Sequence, residues 1–108
     1  MSEYTLDAED EKLVILARAA RARTGAIEGA AVRDSDGRTY AAATVALPSL
    51  ALTALQLAVA NAVAAGATGL EAAAVVTDAS TVDESIVGDL GGAPVYVAGT
   101  DGVVRSMS

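Results

Sequence analysis

Residues 39–70 contain no charged side chain, and this run constrains the fold more than any other feature of the sequence. A membrane-spanning helix needs about 20 predominantly apolar residues, so a span has to be considered. Pro48 and Ser49 interrupt the run and predict a helix start, and Gly66 predicts its end. The helix predicted over residues 50–65 would be about 24 Å long at ~1.5 Å per residue, which is too short to cross a bilayer. We therefore predict the buried central helix of a globular domain and no membrane span.

Cysteine and histidine are both absent from the 108 residues. Their absence excludes disulfides, thiolate nucleophiles, imidazole bases and the nitrogen or sulfur ligands that zinc prefers. A Ser-His-Asp or Cys-His mechanism is therefore excluded for this chain by itself. Any chemistry would have to use carboxylates, hydroxyls, backbone groups or the amine of Lys12.

Fourteen acidic and seven basic residues give a formal net charge of −7. This charge repels phosphate backbones and anionic lipid headgroups, so we expect no nucleic-acid partner and no membrane. The N-terminal region is acidic where a secretory signal would need an apolar segment. We therefore expect a cytoplasmic protein.

Residues 7–25 have the features of an amphipathic helix. Asp7 is a suitable N-cap, and Gly25 is a suitable stop. Acidic residues follow the cap and basic residues precede the stop, which complements the helix dipole. We interpret the acidic first turn as solvated and predict that an apolar stripe faces the core. The stripe consists of Leu13, Leu16, Ala17 and Ala20, with Val14 beside it.

Two strands are predicted over residues 26–33 and 39–45, and residues 34–37 between them have strong turn chemistry. Gly37 can adopt a positive φ, so the pair is predicted to form a β-hairpin. Glu28 is a carboxylate within an otherwise apolar strand. We interpret it as a solvent-facing edge residue rather than a catalytic one.

The second half of the chain alternates strands with helices. Residues 70–77 predict a buried strand that follows the central helix by a parallel crossover. Thr81 and Glu84 have the spacing of a capping box, which predicts a short helix. Residues 94–98 and 103–105 predict a terminal hairpin. The element order is αββαβαββ, an α/β fold with a mixed sheet, in a single domain over residues 1–108.

Two segments of this order resemble the small tetrameric cytidine deaminases. Residues 29–40 are similar to the family's first hairpin, with Gly-Ala-Ala, then Asp-Gly-Arg, then an aromatic residue. Residues 58–66 and 73–78 are similar to the second half of its catalytic helix and to its third strand. The resemblance implies a three-layer α/β/α fold with a five-stranded mixed sheet.

The family's catalytic signature is missing from the matching positions. In that family a Cys-Ala-Glu or His-Ala-Glu triplet opens the central helix and supplies a zinc ligand and the proton-shuttling carboxylate. Thr53, Ala54 and Leu55 stand there in this chain. A Pro-Cys-x-x-Cys motif supplies the other ligands, and residues 78–83 replace it without a cysteine. The ribose-binding Asn-Val-Glu-Asn corresponds to residues 44–47, and the aromatic residue before the first hairpin corresponds to Ala26.

Because these positions carry no zinc ligand, the resemblance implies a chain without the family's zinc and without a cofactor. Deamination of cytosine needs a metal-activated hydroxide and a proton-moving carboxylate, so the resemblance also implies that this chain does not deaminate. Oxygen-bearing side chains in the loop after the third strand could instead suit a hard cation such as magnesium. These are Asp78, Ser80, Thr81, Asp83 and Glu84. We favour the capping interpretation of Thr81 and Glu84 over a metal site.

Three functions remain open from the sequence. The first is a catalytically inactive, homo-oligomeric scaffold, as a dimer or tetramer, with a structural or regulatory role toward a protein partner such as an active deaminase. The second is a protein that binds a nucleoside-like small molecule in the vestigial pocket. The third is an enzyme with a carboxylate mechanism built from Glu28 and Asp78. The pocket is predicted to contain Ala26, Glu28, Thr44, Ala46, Thr53, Leu55, Asp78, Ser80 and Thr81.

Overall fold

The structure, a computed structural model, describes residues 4–108. In chain order its elements are α1 (Ala8–Thr24), β1 (Gly29–Asp34), β2 (Thr39–Ala43), β3 (Val45–Leu47), β4 (Leu50–Leu52), α2 (Ala54–Ala64), β5 (Leu70–Val76), α3 (Ser85–Gly88), β6 (Val95–Ala98) and β7 (Val104–Met107). Within these residues, no helix combines the length and the hydropathy needed to cross a membrane.

Helix α1 begins and ends where its capping residues predict. The Asp7 carboxylate accepts a hydrogen bond of 2.9 Å from the Asp10 amide, and Gly25 adopts φ 66° at the C-terminal end. The predicted stripe faces the sheet, with Leu13 and Ala17 fully buried. The expectation of a solvated first turn was wrong for Asp10, which is buried because its carboxylate meets partners from two strands.

The main sheet has the order β2-β1-β5-β6-β7. β1 is antiparallel to both β2 and β5, β5 is parallel to β6, and β6 is antiparallel to β7. β2 and β5 therefore run in the same direction with β1 between them, as the predicted crossover through the central helix requires. The mixed five-stranded sheet is confirmed, and the order of the elements roughly matches the predicted one.

Helices cover both faces of this sheet. α1 packs on one face against alternate strand residues such as Ala31 and Ala74, whereas α2 packs on the other against residues such as Ala30 and Ala73. This alternation is the two-residue period of a strand that is buried on both faces. The three-layer α/β/α fold is confirmed.

Alanine and glycine set the spacing between α1 and the sheet. A Cβ built on Gly29 would lie 2.0 Å from the carbonyl oxygen of Ala17 in α1. Only glycine fits there, so the first residue of β1 touches the helix backbone directly. Small side chains are weak strand formers in isolation, but here they let a helix lie close to the strands.

The prediction that Pro48 and Ser49 start the central helix was wrong. They form the turn of a separate two-stranded sheet, in which Leu47 pairs with Leu50. α2 begins at Ala54, and it spans 11 residues. Its N-cap is Thr53, whose partner Gln56 completes a capping box three residues later. Thr53 and Gln56 have the spacing of a capping box, whereas Pro48 predicts a helix start only through the preference of proline for the first helical position.

The capping box predicted at Thr81 and Glu84 was also wrong. α3 is a single turn that begins at Ser85, and Glu84 precedes it without a side-chain cap. Asp83 instead accepts a hydrogen bond of 3.0 Å from the Ser85 amide. Arg105 of β7 donates to the carbonyl oxygens of residues 77 and 79, and this long-range contact holds the loop before α3.

Candidate functional site

A groove of about 320 Å³ lies where the chain enters β1 and where α2 begins. It brings together four of the residues predicted for the pocket. These are Glu28, Thr44, Ala46 and Thr53. The rest of the lining is Ile27, Val45, Ala51, Leu52 and Gln56. The walls are therefore mainly apolar, with a few polar groups at defined positions.

Glu28 and Thr44 are joined by hydrogen bonds that involve both backbones and the Thr44 hydroxyl. The Thr44 amide donates to the Glu28 carbonyl at 3.2 Å, and the Glu28 amide donates to the Thr44 hydroxyl oxygen at the same distance. These bonds lie just outside the β1–β2 pairing, which ends at Gly29 and Ala43. They place Glu28 beside Thr44, the residue that precedes β3.

The Glu28 carboxylate faces a buried threonine. The Thr77 hydroxyl donates a hydrogen bond of 2.8 Å to Oε2 of Glu28 and accepts one of 3.0 Å from the Ala79 amide. Thr77 is only 2% exposed. The interpretation of Glu28 as a solvent-facing edge residue was wrong, because β1 lies inside the sheet and the side chain is half-buried.

Sequence reasoning did not select Thr77. It is the polar residue that ends the apolar run of β5, immediately before Asp78, and this position at the end of a buried strand was the available signal.

Thr53 lines the groove, but its polar atoms serve the helix. Its hydroxyl oxygen accepts from the Gln56 amide at 3.0 Å, and its own amide donates to the Gln56 side chain at 2.9 Å. Leu55, two residues further along, is 1% exposed and packs in the core beneath the groove. The start of α2 is therefore a helix cap above an apolar core.

The remaining predicted pocket residues lie outside the groove. Ala26 follows α1, and its amide donates to the Arg21 carbonyl at 3.2 Å. Ser80 and Thr81 are exposed in the loop after β5. Asp78 accepts a long hydrogen bond of 3.4 Å from the Thr100 amide. Glu28 and Asp78 accept from different donors, Thr77 and Thr100, and of the two only Glu28 lines the groove.

A second polar cluster, not predicted from the sequence, lies under α1 on the opposite face of the sheet. Arg33 donates to Asp10 and to Glu71, each at 2.9 Å, and the Tyr96 hydroxyl donates to Asp10 at 2.6 Å. The hydrogen bond to Asp10, together with burial, raises the pKa of Tyr96 to about 12. This cluster connects α1 to three strands and lies apart from the groove.

The three layers and the mixed sheet, with the groove at the start of the middle helix, define an α/β/α domain. The family model described as cytidine deaminase-like matches residues 6–102, so the chain belongs to the cytidine deaminase-like family. This confirms the resemblance seen in the sequence. A comparison with curated proteins gives no match.

The fold is also similar to a solved structure, that of cytidine deaminase from Burkholderia pseudomallei. The TM-score is 0.76 at 24% sequence identity, and the similarity covers 90% of this chain and 89% of that one. At this identity the likeness bears on the fold alone.

The residues at the groove do not fit the zinc ion that the family implies. A catalytic zinc site uses three protein ligands, mostly nitrogen or thiolate. The groove offers the Glu28 carboxylate, two threonine hydroxyls and the Gln56 amide, of which Thr53 and Gln56 already bond to each other. Across residues 4–108, no three His, Cys, Asp or Glu side chains are grouped closely enough to hold a metal.

Proposed function

We propose that this protein is a catalytically inactive member of the cytidine deaminase-like family that acts as an oligomeric structural or regulatory scaffold. The start of α2 carries this proposal. Thr53 and Gln56 use their polar atoms to cap the helix, and Leu55 is buried in the core. None of these side chains is placed to hold a metal or to move a proton.

The chemistry of deamination supports the same conclusion. Attack on the cytosine ring needs a hydroxide that a metal generates near neutral pH and a carboxylate that transfers protons. The chain contains no histidine or cysteine to bind zinc. The one carboxylate in the groove, Glu28, is engaged by the Thr77 hydroxyl.

The test is a metal and activity measurement on the purified full chain after incubation with zinc. We expect no stoichiometric zinc by elemental analysis and no conversion of cytidine, followed by its ultraviolet absorbance, above the buffer rate. The cytidine deaminase from Burkholderia pseudomallei serves as the positive control. Turnover that depends on bound zinc would contradict the proposal.

Self-association is the second part of the proposal. Several large apolar side chains are exposed, which is typical of an interaction surface when they are grouped. They are Ile15, Ile27, Leu47, Leu50, Val63, Val103 and Met107. Closed symmetry favours a dimer or tetramer. Light scattering at micromolar concentration is expected to give the mass of an oligomer, and a strict monomer would contradict the scaffold role.

A second candidate function is the binding of a compact, nucleoside-like molecule in the groove. The combination of an apolar wall with the Glu28 carboxylate and the Thr44 hydroxyl favours it, because such sites orient small ligands with few polar groups. A thermal-shift series with nucleosides, bases and nucleotides tests this function. Stabilisation that is lost in the Glu28→Gln variant would support it, and no stabilisation by any of them would contradict it.

A further inference from the structure

We propose that a pocket between α1 and the β6–β7 turn binds a short apolar peptide in its zwitterionic form. The pocket, here called the α1 pocket, has a volume of about 260 Å³ and shares no residue with the groove at α2. It is bounded by the segment before α1, by one side of the helix, and by the β6–β7 turn with the start of β7. A ligand there would occupy a second site, independent of the groove and of the scaffold role.

The floor of the α1 pocket is apolar. Val14 of α1 is 5% exposed and Val104 of β7 is 6% exposed, and both belong to the core on this side of the sheet. Leu6 packs against the same core from the segment before α1, and Ile15 lies beside them in the pocket wall. A concave apolar surface that carries a few charged groups is typical of a small-molecule site.

Arg18 supplies the positive charge of the α1 pocket, and its side chain is held in place. Its Nε donates to the Thr100 carbonyl oxygen at 3.1 Å. Gly102 lets the guanidinium lie close to the turn, since a Cβ on that glycine would be 3.3 Å from Nη1 of Arg18. Within residues 4–108 this side chain makes no other hydrogen bond and no ion pair. Its two Nη groups can therefore donate to a carboxylate.

Glu11 supplies a negative charge two helical turns before Arg18. Both side chains line the pocket from α1, and their spacing of seven positions corresponds to about 10 Å along the helix axis at ~1.5 Å per residue. Glu11 is exposed, and in the described part of the chain no hydrogen bond or ion pair engages its carboxylate. The α1 pocket thus presents one charge of each sign, about 10 Å apart, over an apolar floor.

These two charges determine the class of ligand. A simple anion would be repelled by Glu11, by Asp101 in the same pocket and by the net charge of −7, and a simple cation would be repelled by Arg18. A zwitterion avoids both conflicts when its charges match the spacing. An extended chain of three residues does so, since it spans about 10 Å at ~3.3–3.6 Å per residue. The peptide ammonium then lies at Glu11 and its carboxylate at Arg18.

Isothermal titration of the full chain with the tripeptide Ala-Val-Ala tests the ligand class. Wild type is expected to bind this peptide saturably. The N-acetylated and the C-amidated peptides each lack one charge and are expected to bind about threefold to tenfold more weakly. The dipeptide Ala-Val is too short to reach both charges and is expected to be weakened similarly. Equal affinity for all four peptides would overturn the zwitterion.

Four charge-removing variants of α1 test the position of the site. Glu11→Gln and Arg18→Gln are each expected to weaken binding of Ala-Val-Ala about threefold to tenfold. Glu9→Gln and Arg23→Gln are the matched controls, because they make the same changes of charge at exposed positions of α1 that do not line the pocket. The controls are expected to bind like wild type, and circular dichroism checks that all four variants fold.

Several results would overturn the site. They are the absence of saturable binding to wild type up to millimolar peptide, equal weakening in the pocket and control variants, and weakening in only one of the two pocket variants. Binding that is lost in Glu28→Gln but kept in Arg18→Gln would place the peptide in the groove instead. Each of these results leaves the zinc, turnover and light-scattering tests of the scaffold role unaffected.

Discussion

The Thr77 hydroxyl donates to the Glu28 carboxylate at 2.8 Å, although the two residues are 49 positions apart in the chain. The bond joins the segment before β1 to the residue that follows β5, and Glu28 lines the groove. Through the Ala79 amide, Thr77 also fixes the first turn of the loop that follows.

We expect Thr77→Val to lower the free energy of unfolding by about 1–3 kcal/mol, because the Ala79 amide and the Glu28 carboxylate each lose a hydrogen bond to the buried Thr77 hydroxyl. Thr77→Ser retains the hydroxyl and is expected to remain close to wild type. Urea unfolding followed by circular dichroism, at matched protein concentration, measures the difference. Equal stability of Thr77→Val and wild type would show that the hydrogen bond contributes nothing.

Gly29→Ala is expected to be one of the most damaging single substitutions in the chain. Its Cβ would lie 2.0 Å from the Ala17 carbonyl oxygen, so α1 would have to move away from β1. Overpacking of this kind costs roughly 1–3 kcal/mol or more. Gly88→Ala is the control, since a Cβ there meets no atom within 4 Å. Thermal melts of both variants test the contrast, and similar losses at the two positions would contradict it.

The two threonines with capping-box spacing should respond differently to substitution. Thr53→Ala removes the N-cap of α2 and is expected to cost about 1 kcal/mol, whereas Thr53→Ser should keep most of the stability. Thr81→Ala should change stability by less than about 0.5 kcal/mol, because Thr81 is exposed and caps no helix. Chemical denaturation of the three variants decides whether the cap is at residue 53.

The cluster under α1 predicts a stability change at alkaline pH. The pKa of Tyr96 is about 12 in the folded chain, against an ordinary value of 10.0. Between these values the unfolded chain loses the proton first, so rising pH favours unfolding. The contribution of the Tyr96 hydroxyl to the free energy of unfolding is fully present below pH 10 and is lost as the pH rises through about 12.

Unfolding measured from pH 9 to 12 on wild type and Tyr96→Phe tests this. The stability difference between them is expected to narrow as the pH rises, because phenylalanine does not titrate. Parallel pH profiles would contradict a raised pKa for Tyr96.

Local signals predicted the parts of the fold that depend on neighbouring residues. Asp7 caps the start of α1 and Gly25 caps its end, and the turn at residues 34–37 forms with Gly37 at φ 86°. The β3–β4 hairpin was missed because each strand has three residues, too few for an alternating pattern, and because proline is favoured both in turns and at helix starts.

The parts that depend on distant residues were not predictable in this way. Asp10 looked like an ordinary first-turn acid, and its burial depends on Tyr96, 86 positions away. Likewise, Glu28 acquires its partner only when β5 pairs beside β1. Of the candidate site, the resemblance to the family predicted the groove residues Glu28, Thr44, Ala46 and Thr53, but it did not predict Thr77, whose hydroxyl donates to Glu28.

The direct contact of Gly29 with the backbone of α1 has a kinetic consequence. Four residues separate α1 from β1, so the two elements meet by closing a very short loop, which carries a small entropic cost. We expect this pair to be structured in the folding transition state, with the late strand β7 joining afterwards. Substitutions at Ala17 would then slow refolding, and those at Val104 would mainly accelerate unfolding. The position that tolerates no side chain would thus mark where this sheet starts to assemble.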